Sequence, residues 1–137
     1  SPAAPPPAPA PIPMLLAAMP LYAKTNSQGE FVFDHSWADA YERAGGSYFP
    51  KLLGAVPFTP VTGRRFLIPP GPDQERLQTA LLSAAVQVAA QNDFSSVHIN
   101  FITAETAGQL DESGLLIRTD QQFHWQNDNF QYEIKIM

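Results

Sequence analysis

The chain has 137 residues and a formal net charge of −5, and 45% of its residues are hydrophobic. This length suits one domain with a buried core, and the apolar fraction excludes the disordered class of chain. The acidic balance disfavours a broad nucleic-acid-binding surface, so we expect no DNA partner. Because the sequence has no cysteine, it excludes disulfide scaffolds, cysteine–zinc sites and cysteine nucleophiles.

Residues 1–13 contain seven prolines interleaved with alanine. Such a tract favours polyproline II and cannot build a core, so we predict a tail or linker; a ligand for an SH3-like domain is the alternative. The apolar run 14–22 is shorter than the roughly 18 residues that span a bilayer, and no basic segment precedes it. We therefore expect no transmembrane segment, a cytoplasmic location and a single domain over residues 14–137.

The next elements are a strand pair and a helix. Residues 14–24 and 31–33 fit two strands joined by a hairpin-like turn centred on Gly29. A helix is predicted to begin at Ser36, an N-cap residue with Asp39 as its capping-box partner, and to end at two glycines. Its apolar residues fall at i, i+3, i+4 and i+7, which predicts one buried face. They are Trp37, Ala40, Tyr41 and Ala44.

Further along, residues 51–56 and 66–68 read as strands, each closed by proline. Residues 74–91 are the clearest helix, with a stripe formed by Leu77, Leu81, Ala84 and Val88 and widened by Leu82, Ala85 and Ala89. A strand over 97–101, a short helix over 104–110 and a strand over 115–125 complete the prediction. Interspersed strands and helices favour an α/β or α+β layered domain.

Four segments carry a family resemblance: PLYAKTNSQGEFVFDHSWADAYERAGG, YFPKLLGAVPFTPVTGRR, VHINF and RTDQQFHWQN. Together they run from about Leu21 to Trp125, and the pieces with tryptophan, tyrosine and proline are specific. In them the chain resembles the bacterial peptidoglycan biosynthesis/recognition proteins, relatives of the FemAB transferases with a GNAT (acyl-CoA N-acyltransferase) type of fold. The resemblance implies a GNAT-like mixed, largely antiparallel sheet flanked by helices.

The resemblance also implies a reaction and its partners. The reaction is transfer of an acyl or aminoacyl group from acyl-CoA, or from aminoacyl-tRNA, to a small-molecule or peptide amine such as that of a peptidoglycan precursor. The acidic charge favours the CoA ester. The chain departs from the family, whose members look longer and have a strand and helix where the proline-rich tract stands. We therefore expect a partial domain, with a homodimer or a missing second domain as partner; the alternative functions are a non-catalytic recognition module and a truncated fragment.

A GNAT-type enzyme needs a loop that holds the cofactor pyrophosphate on backbone N–H groups. The usual glycine-rich loop is absent, and residues 60–65 (PVTGRR) are the nearest substitute, with one glycine and two arginines. A tight turn with solvated arginines is the alternative interpretation. The predicted cofactor-binding residues, for acetyl-CoA or another acyl-CoA, are Phe58, Thr59, Thr62, Gly63, Arg64 and Arg65, with backbone amides near the first two as oxyanion donors.

His98 and His124 are candidate general bases, since histidine titrates near neutral pH. The alternative for each is a half-buried strand residue, and without a carboxylate at ligand spacing neither predicts a metal site. The predicted catalytic residues are His124 and Tyr48, whose hydroxyl lies in a glycine-rich turn. The predicted substrate-binding residues are Asp34, Trp37, Gln122 and Trp125. Helix capping is the alternative for Asp34, and burial in the core for Trp37, Tyr48 and Trp125.

Overall fold

The structure, a computed structural model, describes residues 14–29, 32, 34–111 and 113–123. The proline-rich segment and part of the predicted strand 31–33 lie outside this range. The described elements are β1 (Tyr22–Lys24), α1 (His35–Arg43), β2 (Lys51–Gly54), α2 (Gln74–Gln91), β3 (Val97–Ile99) and α3 (Ala104–Asp111). No helix within the described ranges is both long enough and apolar enough to cross a membrane.

The three strands form one mixed sheet in the order β1-β2-β3. β1 pairs antiparallel with β2, so that Lys24 lies opposite Lys51, and β2 pairs parallel with β3, so that Leu53 lies opposite His98. Having a neighbour on each edge, β2 is buried at all four positions. The sheet and its helices confirm the predicted mixed α/β class.

α2 has the predicted bounds and packs against β2 and β3. Its buried residues are Gln78, Ala85 and Ala89, whereas Ala84 and Val88 of the predicted stripe are exposed. The buried stripe therefore runs through Ala85 and Ala89, which widened the predicted stripe, and not through Ala84 and Val88. Small side chains on this stripe let the helix approach the sheet closely.

The buried face predicted for α1 is wrong. Trp37 is 61% exposed and Tyr41 48% exposed, while Ala38 is the buried residue of this helix. The reason lies at the helix start, where Asp34, and not the predicted Ser36, is the N-cap residue. Asp34 points into the protein, and the residue four positions later shares its side of the helix, so Ala38 faces inward and the aromatic residues face outward.

Four strand predictions are also corrected. Residues 66–68 form only an isolated bridge, in which Leu67 pairs with Ala18. β2 stops at Gly54 and β3 at Ile99, each shorter than predicted. Residues 115–123 form no strand, because this described stretch is exposed on both alternating faces and so has no buried face for a sheet to cover.

Candidate functional site

Three polar side chains meet in the interior beside β2. The carboxylate oxygen Oδ2 of Asp34 accepts a hydrogen bond of 2.8 Å from the Tyr48 hydroxyl and another from the Lys51 ammonium. Asp34 is 3% exposed and Lys51 5% exposed. The Asp34 side chain makes no cap hydrogen bond, so its position suits an N-cap but its carboxylate serves as the counter-ion of a buried lysine.

This environment changes the proton affinities of the cluster. Burial raises the pKa of Asp34, but the hydrogen bonds from Lys51 and Tyr48 outweigh it and lower that pKa to about 2. Burial and the hydrogen bond to Asp34 raise the pKa of Tyr48 well above its ordinary value. The carboxylate is therefore ionised and the phenol protonated at neutral pH. The catalytic role of Tyr48 stays a prediction.

His98 lies beside the same cluster, with its ring 6.1 Å from that of Tyr48 and its Nε2 2.9 Å from the Ser96 hydroxyl oxygen. Burial, together with the charge of Lys51, lowers the pKa of His98. The imidazole is therefore neutral at physiological pH.

Arg65 is a buried clamp. Its guanidinium donates to the carbonyl oxygens of Asn100 (2.8 Å), Phe101 and Arg64 (3.3 Å each), and also to that of Val61. These bonds tie the loop 61–65 to the segment that follows β3. Arg65 is 7% exposed, and burial lowers its pKa.

The residues predicted to bind the cofactor lie next to this clamp. Two of their backbone N–H groups already donate hydrogen bonds to carbonyl oxygens of the protein. The Thr59 N–H donates to the Val56 carbonyl at 3.3 Å, and the Gly63 N–H donates to the Phe101 carbonyl at 3.0 Å. Thr62 and Arg64 are exposed. Phe58, with a φ of 56°, presents its ring to the ammonium of Lys24 at 4.6 Å.

Two cavities flank the arginines. The larger, of about 260 Å³, is bordered by Arg64, Arg65 and polar residues of α2 and α3, including Gln78 and Glu105. The smaller, of about 140 Å³, shares both arginines and is otherwise lined mainly by apolar side chains. The larger cavity thus has a mixed polar and apolar lining and the smaller a mainly apolar one, and both include the two arginines.

The predicted site residues fall into separate places. Asp34 and Tyr48 are bonded to each other, Arg64 and Arg65 border both cavities, and Trp37 is exposed on α1. The Gln122 side chain donates to the Pro60 carbonyl at 3.0 Å, which ties the segment 113–123 to the predicted cofactor loop. His124 and Trp125 lie outside the described residues.

Sequence reasoning missed two residues, Lys51 and Gln78. Lys51 opens an otherwise apolar strand, and Gln78 shares the helical stripe of Ala85 and Ala89, seven and eleven positions on. A polar residue inside a buried stripe needs a partner, and that was the available signal.

The family model for FemAB-like proteins, described as peptidoglycan biosynthesis/recognition, matches residues 10–133. No curated protein and no solved structure gives a significant match to the sequence. The family match covers most of the chain, including every described helix and strand. The chain therefore belongs to the FemAB-like family of peptidoglycan biosynthesis/recognition proteins.

Proposed function

We propose that the chain transfers an acyl or aminoacyl group from an activated donor to an amine of a cell-wall precursor. Family membership supports a peptidoglycan-related role. The observation that carries the proposal is the pair of cavities that share Arg64 and Arg65, because a transfer reaction needs two reactants held side by side.

The linings suit different parts of the reactants. The smaller cavity, with Val56, Pro57 and Leu67 on its wall, suits an acyl chain. The larger cavity carries glutamine, threonine and glutamate side chains and suits a polar group. Arg64 lies where the two meet, so its guanidinium is the proposed contact for negative charge on the donor, with Thr59 and Thr62 as neighbouring contacts.

The proposed donor is acyl-CoA. The acceptor nitrogen would attack the thioester carbonyl carbon and lose a proton to a base, the C–S bond would break, and the thiolate would leave and be protonated. His124 is the proposed base. Replacing His124 with alanine is expected to lower turnover far more than it lowers stability; unchanged turnover would remove this residue from the mechanism.

Donor binding is the first test. Calorimetric titration of the folded chain with acetyl-CoA is expected to show binding in roughly the micromolar range, and Arg64→Ala is expected to abolish it. Arg43→Ala is the matched control, because Arg43 is an exposed arginine that borders neither cavity. Absence of binding to the folded wild-type chain would contradict an acyl-CoA donor.

The second candidate function is a non-catalytic recognition module. The exposure of Trp37 and Tyr41, one turn apart on α1, favours it, since exposed aromatic side chains mark interaction surfaces. Under this alternative, Trp37→Ala weakens binding of soluble peptidoglycan fragments and no acyl transfer is detected. Binding that is unaffected by this substitution would remove the alternative.

A further inference from the structure

The larger cavity is bordered by two arginines that form no ion pair with a carboxylate of the described residues. We propose that it binds a singly charged oxyanion, either a carboxylate or a phosphate diester, through Arg64, Arg65 and the side-chain amide of Gln78. This inference rests on the proposed function only for the source of the anion, which would be the acceptor's carboxylate or the donor's phosphate. The binding itself does not depend on acyl transfer.

Arg65 supplies the first argument. It is 7% exposed, and its hydrogen bonds go to carbonyl oxygens and to no carboxylate of the described chain. A guanidinium has five N–H donors, and four are used here, which leaves one on Nη1. A buried cation without an anionic partner is costly, and an oxyanion in the adjoining cavity would lower that cost.

Gln78 supplies the second, independent argument. It is 9% exposed and borders the larger cavity, yet its side-chain amide has no hydrogen-bond partner within the described ranges. The N–H groups and the carbonyl oxygen of this amide are therefore open to a molecule in the cavity. The apolar neighbours of Gln78 on the buried stripe are alanines, so nothing in the packing of α2 requires an amide here. A ligand oxygen in the cavity would accept a hydrogen bond from it.

The charged residues that border the cavity favour a ligand with a single negative charge. Two arginines and one glutamate, Glu105, border the cavity, which gives a formal charge of +1. The first turn of α3 also lies on the wall, through Glu105 and Thr106, and a helix N-terminus favours anions. Glu105 repels a dianion more strongly than a monoanion, so a doubly charged phosphate is disfavoured.

The experiment is a titration of the full chain, labelled with ¹⁵N, followed by NMR. Three probes are used separately: N-acetylglycine for the carboxylate, dimethyl phosphate for the diester, and inorganic phosphate at a pH where it is a dianion. At least one of the two monoanions is expected to shift the Gln78 side-chain amide signals, which Gln78→Leu identifies by their loss, and to saturate. The dianion is expected to bind more weakly.

Charge substitutions sharpen the test. Arg64→Gln is expected to weaken the better monoanion about tenfold, as for loss of one charged contact. Glu105→Gln is expected to tighten it about threefold, because it removes a repulsive charge. Arg76→Gln and Glu75→Gln are matched controls, since both residues are exposed and border neither cavity, and they should leave affinity unchanged.

Each outcome of these titrations either supports the proposed anion site or overturns it. Binding of N-acetylglycine alone assigns the site to the acceptor, and binding of dimethyl phosphate alone assigns it to the donor. Shifts that do not saturate, a preference for the dianion, or equal effects of Arg64→Gln and Arg76→Gln would overturn the proposal. The NMR titrations contain no acyl-CoA. A failure of acetyl-CoA to bind in the calorimetric titration would therefore contradict the proposed function without changing the result of the anion titrations.

Discussion

At the scale of single residues, the ion pair of Asp34 and Lys51 places two charges in the interior. Both side chains are buried, so either charge left alone would lack solvation. We expect Asp34→Ala to lower the free energy of unfolding by about 3–5 kcal/mol, the usual cost of breaking a buried pair. Urea denaturation measures this, with exposed Asp39→Ala on the same helix as the control.

The double substitution Asp34→Ala with Lys51→Met separates the cost of leaving one buried charge unpaired from the loss of the ion pair itself. It removes both charges, so it is expected to recover part of the stability lost in the single variant. If Asp34→Ala lowers the free energy of unfolding no more than Asp39→Ala does, the Asp34 carboxylate is not the counter-ion of Lys51.

The same pair sets a pH dependence. The pKa of Asp34 is about 2 in the folded chain against 3.8 for the free group, so the unfolded chain binds more protons between these values. The contribution to stability is therefore present above about pH 4 and is lost as the pH falls through about 2, by roughly 2–3 kcal/mol in total. Urea midpoints across this range should fall less steeply in Asp34→Ala than in Asp39→Ala; equal slopes would contradict the lowered pKa.

The residue scale also shows what the sequence concealed. Asp34 stands where an N-cap belongs, so local rules explained it without Lys51, which lies seventeen positions along the chain. Arg65 was predicted to hold phosphate, but its hydrogen bonds run to carbonyls at positions 61, 64, 100 and 101. The pairing of Asp34 with Lys51 and the bonds of Arg65 to positions 100 and 101 have no local pattern, because tertiary packing makes them.

At the scale of elements, α2 was predictable and its buried face was not. Its long apolar stripe predicted its bounds, but the width of that stripe left the rotation about the helix axis open by one residue. Ala85 is 1% exposed, so Ala85→Leu should overpack the contact with the sheet and cost about 1–3 kcal/mol. Ala84→Leu, one position away and exposed, should stay within about 0.5 kcal/mol. Thermal unfolding of both variants tests the rotation, and equal effects would contradict it.

Two glycines at helices differ only in backbone conformation. An added Cβ would meet no atom within 4 Å at either Gly45 or Gly108, but Gly45 has a φ of +87°. Gly45→Ala should therefore cost about 1 kcal/mol through backbone strain, while Gly108→Ala, inside α3, should gain about 0.5–1 kcal/mol. Chemical denaturation compares them; the same sign for both would contradict the left-handed turn after α1.

For the whole molecule, the clamp of Arg65 links the fold to the proposed binding site. It joins the loop 61–65 to the end of β3, and the same guanidinium borders both cavities. The pairing of β1 with β2 and of β2 with β3 brings these segments together, and it is non-local in the chain. This is why the sequence predicted the fold class and most of the elements, yet did not predict which surfaces would form the cavities.

Arg65→Lys tests this link, because lysine keeps the charge but lacks the planar fork that reaches several carbonyls. We expect it to lower the free energy of unfolding by at least about 2 kcal/mol and to speed hydrogen exchange at the Gly63 amide, which the clamped loop protects through its bond to Phe101. Arg64→Lys, at an exposed position, should leave both unchanged.

A saturating monoanion should stabilise the wild-type chain by about 2.7 kcal/mol at a hundred times its Kd, and it should stabilise Arg65→Lys by less. If the anion stabilises both equally, the site does not depend on the clamp, and fold and binding are separate.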